Sequence, residues 1–186
     1  AYAWHTWPVR MLIFTLIALN LTASSYAVLL PIFARDVFAG DATTLGWLWG
    51  AAGCGAFAAT IFLAHHRRMP SVVGAVVGGV VVSALAVIVF GLASSMALAC
   101  VSMIGVGFGI SVCNVGINML LQGMAPDALR GRVVSFFTSA RFGFDALGGL
   151  IAGFVASALG AGPTLVLEGA VLLGCSRRGR EMAPEC

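Results

Sequence analysis

The stretch that decides the fold is RVVSFFTSARFGFDALGGLIAGFVASAL, residues Arg132 to Leu159. As a helix it is long enough to cross a bilayer, because about 20 predominantly apolar residues span the hydrocarbon core. Arg141 and Asp145 lie midway along it. An ionisable side chain at membrane depth is unfavourable against lipid and generally faces a bundle interior or a water-filled cavity. The pair therefore indicates a functional site in a protein that moves something across a membrane.

The composition supports a lipid environment for most of the chain. Of its 186 residues 60% are hydrophobic and 9% are charged, and the mean hydropathy is +1.03. A soluble domain carries about 25% charged residues, so this chain could not cover a water-facing surface. The net charge of +3 is too small and too dispersed to indicate nucleic acid as a partner. The lipid bilayer is the expected surrounding.

Six apolar segments follow one another, and their runs lack the alternation of membrane β-strands, so they predict helices. The first five are long enough to span a membrane, whereas the sixth is short. The segments are Met11–Ala34, Thr44–Ala64, Ser71–Leu92, Met96–Gln122, Arg132–Leu159 and Pro163–Cys175. We therefore predict an all-α membrane protein with a bundle of six transmembrane helices in 11–175 and a polar tail in 176–186.

The arginines predict the orientation of this bundle, because basic residues are enriched in cytoplasmic loops. One side of the predicted topology holds only Arg35, while the other holds Arg10, Arg67, Arg68, Arg130, Arg132, Arg177, Arg178 and Arg180. We therefore expect a multi-pass protein of the plasma (inner) membrane with both termini in the cytoplasm. The connections are short, so consecutive helices should be antiparallel neighbours.

Glycines spaced four residues apart predict where these helices pack closely, since small residues at this spacing let helix backbones approach in membranes. Four segments carry such a pair: Gly46 and Gly50, Gly74 and Gly78, Gly105 and Gly109, and Gly149 and Gly153. We interpret the pairs as packing faces, which say nothing about a substrate.

Polar side chains inside the spans are the candidate site. Arg141 and Asp145 are four residues apart and share one helix face. They are either a self-neutralised pair that locks the fifth helix to its neighbours, or a pair of which one partner is freed by substrate or a proton. Asn114 and Asn118 begin a polar stripe that Gln122 continues, and Asn20 lies in the first segment. These amides either hydrogen-bond between helices or line a polar pathway.

The remaining polar residues carry weaker predictions. Glu168 lies in the short sixth segment, so we expect it to face the interface or a cavity mouth, too far away to reach Arg141. His65 and His66 are adjacent and lack the spacing of metal ligands. The sequence contains no catalytic cluster in a credible context, so we expect no enzyme, no catalytic residues, no metal and no cofactor.

Two stretches carry a family resemblance. Leu30-Pro31-Ile32-Phe33-Ala34-Arg35-Asp36-Val37, with the Gly-rich segment after it, resembles the seventh span and following loop of major facilitator transporters of the drug- and siderophore-exporter branch. Pro126-Asp127-Ala128-Leu129-Arg130-Gly131-Arg132-Val133 resembles the loop between spans ten and eleven of that branch. Phe144-Asp145-Ala146-Leu147-Gly148 is similar to the enterobactin-exporter subgroup, which has an acidic residue in this helix.

The resemblance implies that the chain is the C-terminal six-helix half of a twelve-helix transporter. Residues 1–10 would end the central loop, and the N-terminal half would be the partner. The implied mechanism is alternating access of two halves about a central site. Arg130, Gly131 and Arg132 would form a cytoplasmic gating loop, or the arginines would only set orientation and contact lipid head groups. Two departures are the 64–71 loop, which lacks the longer motif of many relatives, and the polar tail.

Two functions from different classes follow. The first is a secondary transporter, a proton-coupled exporter of a drug-like or siderophore-like small molecule. In it Asp145 senses protons or substrate, Arg141 tunes it, and Asn114, Asn118 and Asn20 belong to the pathway. The second is a truncated or inactive half-transporter that acts as a non-transporting membrane scaffold, a hypothesis motivated by the abrupt start at Ala1 and the short sixth segment.

Overall fold

A computed structural model of the protein describes residues 19–20, 25–38, 40–66, 69–124 and 130–181. These residues form helices joined by short connections and contain no strand. The helices are α1 (Ser25–Arg35), α2 (Ala42–His65), α3 (Met69–Gly91), α4 (Met96–Met124), α5 (Arg130–Leu159) and α6 (Ala161–Glu181). Leu19 and Asn20, just before α1, are helical as well. The prediction of an all-α membrane protein is confirmed.

Four of these helices, α2 to α5, are long and apolar enough to cross a membrane. The described apolar stretches of α1 and α6 are shorter, at Ser25–Arg35 and Ala161–Gly174. Six spans therefore stay a prediction, whereas four follow from the length and composition of the described helices. The helix α6 also continues past Cys175, where the predicted apolar segment ends, as far as Glu181.

Local chemistry determines where several helices begin and end. The carboxylate of Asp41 caps α2 by accepting hydrogen bonds from the backbone N–H groups of Thr43 at 2.9 Å and Thr44 at 3.4 Å. The hydrogen bonds from Thr43, above all, hold the pKa of Asp41 below its usual range. Between α5 and α6 stands only Gly160, whose φ of 86° is in the left-handed region that glycine adopts without strain. This one-residue connection makes α5 and α6 sequential neighbours.

The first helix continues into a π-helical turn, Phe33–Val37, which extends two residues past the apolar stretch that ends at Arg35. The N–H of Phe38 donates to the carbonyl of Phe33 at 3.2 Å, the five-residue step that defines such a turn. Pro31 lies just before it and has no backbone N–H to donate. Weakened helical hydrogen bonding is therefore concentrated at this end of α1.

The packed centre of the molecule is α4, which lies against both α2 and α3. One buried apolar cluster joins α4 to α1, α2, α3 and α6 and contains Phe33, Phe90 and Met103. A second cluster joins α4 to α3 near its other end and includes Ile117, with single residues from other helices such as Phe137 of α5. The three helices α2, α3 and α4 therefore form the core on which the other helices rest.

Glycines bring the α4 backbone close to its two neighbours. A Cβ atom on Gly107 would collide with the Ala52 carbonyl of α2, and one on Gly55 would collide with the Ile104 carbonyl of α4. On the other side, a Cβ on Gly109 would lie 2.6 Å from the Gly79 carbonyl oxygen of α3. Such contacts are possible only where no side chain intervenes.

The predicted glycine pairs are only partly correct. Gly105 and Gly109 pack against α3, as predicted. Gly46, Gly50, Gly74, Gly78 and Gly153, by contrast, have no neighbouring atom within 4 Å of the position that a Cβ would occupy. Among the described residues, the prediction that these five lie on packing faces is wrong. Spacing alone does not say which side of an apolar helix meets a neighbour.

Candidate functional site

The helix α5 has two distinct faces, and its charged residues lie on the inner one. Large apolar side chains point outward, among them Leu150, which is 73% exposed, and Phe154, which is 79% exposed. Phe137, Gly148 and Ala152 are the buried residues of this helix. The residues buried on α5 recur at helical spacing, and Arg141 and Asp145 lie between them on the same side, half-buried. The charged pair is thus turned away from the lipid-facing side.

Arg141 and Asp145 do not form the simple ion pair that their spacing allows. Within the described part of the chain no salt bridge joins them. The guanidinium carbon of Arg141 lies instead 5.2 Å from the centre of the Phe142 ring. Both charges act electrostatically on Tyr26 of α1. The described residues therefore show no salt bridge that would make Arg141 and Asp145 a self-neutralised pair, and both charges lie within electrostatic range of Tyr26 of α1.

Three polar residues in and just before the first helix are at least partly buried. Asn20 and Ser25 are buried, at 2% and 0% exposure. Tyr26 is half-buried, and its ring centre lies 6.2 Å from that of Trp49 on α2. The polar side of α1 therefore lies within the bundle, because every one of these three side chains is at least partly removed from the surface.

The amide stripe of α4 is half-buried. Asn114, Asn118 and Gln122 all have intermediate exposure, and the amide nitrogen of Gln122 donates to the side-chain oxygen of Asn118. The side-chain oxygen of Asn114 is buried and has no hydrogen-bond partner among the described residues. Ile110, one turn before Asn114, packs against the cluster that contains Leu29 and Phe33 of α1. The stripe therefore begins one turn beyond a residue that packs against the main buried cluster.

Glu168 of α6 is a polar residue that the sequence reasoning underestimated. The Ser25 hydroxyl of α1 hydrogen-bonds its carboxylate. The other carboxylate oxygen, Oε2, is buried and has no hydrogen-bond partner within the described part of the chain. Glu168 therefore lies at the contact between α6 and α1, a partner that the sequence reasoning did not predict. The signal in the sequence was only a lone carboxylate in a short apolar segment; its neighbour Ser25 belongs to a helix more than one hundred residues earlier.

Arg130, Gly131 and Arg132 form the first residues of α5 and are exposed. The Ser135 hydroxyl donates to the Gly131 carbonyl at 2.9 Å, one turn inside the helix. Residues 126–129, which begin the stretch that carries the family resemblance, lie outside the described residues. The structure thus places the two arginines at one end of α5, well separated along the helix from Asp145.

A metal-binding group, the two adjacent histidines and the groove between α2 and α4 are the further candidates for a site among the described residues. These residues hold no group of three or more histidine, cysteine, aspartate or glutamate side chains that could bind a metal ion. His65 and His66 each have Nδ1 at 2.9 Å from a carbonyl oxygen of their own helix, those of Ile61 and Phe62. A groove of about 360 Å³ between α2 and α4 is lined by Thr60, Leu63, Ala64, Val115 and Met119, none of which is a predicted site residue.

The long apolar helices define the class of the protein as a multi-pass membrane protein. Several of its polar side chains are partly buried among these helices. The family model described as transmembrane secretion effector, of the major facilitator type, matches residues 1–179. The chain therefore belongs to this family of transporters. No curated protein matches the chain.

Proposed function

We propose that the chain works as the C-terminal half of a secondary transporter that exports a small drug-like or siderophore-like molecule, coupled to protons, by alternating access. Membership of a transporter family and the membrane-spanning helices support the general part of this proposal. The observation that carries the specific part is the inward face of α5, where Arg141 and Asp145 lie half-buried and act on Tyr26 of α1.

In this proposal Asp145 is the coupling or substrate-sensing carboxylate. A charged group away from water is stabilised only by a partner, so its charge responds to whatever enters the site. Arg141 lies one turn away without a salt bridge to Asp145 in the described structure, and so is available to tune the carboxylate or to meet an anionic substrate group. A locked pair would not leave either charge free to respond.

The amides would line the path beside this carboxylate. Asn114 and Asn118 lie half-buried on α4, and Asn20 is buried close to the start of the described part of α1. The buried oxygen of Asn114 without a described partner is an acceptor that a substrate or water can satisfy. The N-terminal six-helix half would supply the opposite wall, both termini would be cytoplasmic, and the host membrane would be the plasma (inner) membrane.

The proposal is tested by efflux from cells or inverted vesicles that contain the full-length protein, with a panel of dyes, antibiotics and siderophores and an imposed proton gradient. Asp145→Asn should abolish gradient-driven efflux, because the amide keeps the size of the side chain and cannot ionise. Membrane insertion should be unchanged, which quantitative blotting of membrane fractions measures.

The matched control is Asp41→Asn, the same chemical change at an exposed carboxylate that only caps α2. Asparagine caps helices about as well as aspartate, so this variant should export at the normal rate. Unchanged efflux in Asp145→Asn would remove Asp145 from the mechanism. Absence of gradient-driven export for every compound in the panel would instead favour a non-transporting scaffold.

A further inference from the structure

We propose that Glu168 and Ser25 form a second proton-binding site, separate from Asp145, in which the protonated carboxyl group of α6 holds α1 in place. This inference deepens the proposed transport function and rests on that function only for the use made of the proton. The site itself is argued from the contact between α1 and α6.

The contact leaves one half of the carboxyl group without a partner. The Ser25 side chain is fully buried, and its hydroxyl hydrogen-bonds Glu168. Oε2 of Glu168 is buried and accepts no hydrogen bond from any described residue. A buried carboxylate with an unsatisfied oxygen is strongly unfavourable, whereas a bound proton removes the charge. Burial and the unsatisfied oxygen favour the neutral carboxyl group, and they act against the Ser25 hydrogen bond, which by itself favours the carboxylate.

The helices around Glu168 offer no cation that could replace this proton. Gly169, the next residue, lies against Ala84 and Ile88 of α3, and α3 contains no ionisable side chain between Met69 and Gly91. From α4 the titratable groups are only the thiols of Cys100 and Cys113. Across the described part of the chain, no basic side chain contacts the Glu168 carboxyl group.

The charged groups of α1 and α5 complete these surroundings. On α1 the nearest titratable neighbour in sequence to Ser25 is Tyr26. On α5, Arg141 and Asp145 act on Tyr26. Glu168 is therefore held by a hydroxyl, while the two charges of α5 act through space on the phenol of the next residue in α1. The contact through Ser25 is thus the one that joins α1 to Glu168 in this proposal.

At its C-terminal end the first helix continues into a turn where regular helical hydrogen bonding is interrupted. This π-helical turn, Phe33–Val37, begins two residues after Pro31, which has no backbone N–H to donate. If α1 moves away from α6, water reaches the carboxyl group. The O–H bond of Glu168 then breaks, the proton passes to that water, and the carboxylate is left hydrated. Movement of α1 is thereby coupled to release of the proton.

Infrared difference spectroscopy of the protein in lipid bilayers tests the site without a substrate. On titration from low to high pH, the carbonyl stretch of a protonated carboxyl group should disappear as the group ionises. Glu168→Gln should remove one such band, because the amide keeps the shape and cannot carry the titrating proton. Asp145→Asn and Asp41→Asn should both leave that band in place, and these two variants are the matched controls.

Ser25→Ala gives the second arm. The band assigned to Glu168 should persist but change its frequency, because the hydrogen bond to the carboxyl group is lost. An unchanged frequency would overturn the Ser25 contact, and an unchanged spectrum in Glu168→Gln would overturn the proton site. If Glu168→Gln does not fold, Glu168→Asp is the alternative variant, in which the carboxyl group is retracted by one methylene. The frequency of the carboxyl band should then change. An unaltered band overturns the proposal.

The two proposals fail in different measurements. Normal efflux in Asp145→Asn would contradict the role of Asp145 and leave the Glu168 band untouched. Loss of the Asp145 band with no band that depends on Glu168 would contradict the second site and leave the transport proposal standing.

Discussion

The helices α4 and α5 are both long and apolar, yet they are packed very differently. Of the 18 residues in the most apolar window, 44% are buried in α4 and only 11% in α5. Glycines let the α4 backbone touch α2 and α3, whereas α5 contributes Phe137 to the buried clusters and exposes side chains such as Leu150 and Phe154. The loosely packed helix is the one with Arg141 and Asp145 inside a span.

This difference in packing suggests different roles for the two helices: α4 stabilises the fold, whereas α5 can change its position. Close packing at α4 makes any displacement of α2 or α3 unfavourable, because many van der Waals contacts would be lost together. A helix with few buried residues shifts at lower free energy, and moving elements come from the less stable parts of proteins. The polar residues that would respond to a substrate or proton lie on α1, α5 and α6 and in the amide stripe of α4.

The strongest test of the comparison replaces, in two separate variants, a buried phenylalanine of the core and an exposed phenylalanine of α5 by alanine. Phe90 of α3 is fully buried, and its ring centre lies 4.9 Å from that of Phe33. Phe90→Ala should lower the free energy of unfolding by about 3–5 kcal/mol, the range for buried Phe→Ala changes. Denaturant titration in detergent micelles, followed by circular dichroism, measures the loss.

The matched control is Phe154→Ala on α5, where the side chain points outward. Its effect should stay within about 0.5 kcal/mol, as for substitutions away from packed features. Similar losses in the two variants would contradict the contrast between a packed core and a loosely packed α5.

A smaller effect is expected when a close helix approach is filled. Gly55→Val places atoms where the Ile104 carbonyl of α4 lies, so α2 and α4 must separate. We expect a loss of about 1–3 kcal/mol in the free energy of unfolding, as in overpacked cores. The same change at Gly53, where a Cβ would have no neighbouring atom within 4 Å, is the control in the same helix. Equal stability of the two variants would show that α2 and α4 are not in close contact.

The smallest effect is expected at the exposed end of α2. Asp41→Ala removes the side-chain acceptor of the Thr43 and Thr44 N–H groups and should lower Tm slightly. Since the pKa of Asp41 is lowered in the folded protein, its stabilisation is present above the usual aspartate pKa and is lost as the pH falls through the folded pKa.

Thermal unfolding across this acidic range checks the sign of that effect. Asp41→Asn keeps an acceptor that does not titrate, so its Tm should fall less than that of the unaltered protein on acidification. Parallel Tm curves for the two proteins would exclude a pH-dependent cap at this position.

Much of the helical organisation could be predicted because apolar length is a local property. The predicted segment Met96–Gln122 corresponds to α4 at Met96–Met124, and Thr44–Ala64 corresponds to α2 at Ala42–His65. A run of apolar residues must be helical in lipid, since its backbone groups need internal hydrogen bonds. The inward position of Asp145 follows from similar reasoning, because exposure of a carboxylate to lipid is unfavourable.

The glycine faces could not be predicted in the same way. A transmembrane helix is apolar on all sides, so neither lipid nor a neighbouring helix marks its packing face by polarity. Gly46 and Gly50 have the same spacing as Gly105 and Gly109, yet among the helices that the structure describes only the second pair meets a neighbour. The difference depends on how the helices are arranged, which spacing does not encode.

The amino-acid sequence by itself determined that this protein is a helical membrane bundle and that its few charged residues within the spans are turned inward, because hydrocarbon stabilises apolar surface and excludes charge. Only the tertiary structure decided that α4 is the packed centre, that α5 rests loosely beside it, and that Glu168 meets Ser25. Those contacts join residues far apart in the chain, and the close approach of helices, rather than the hydropathy of any one helix, brings them together.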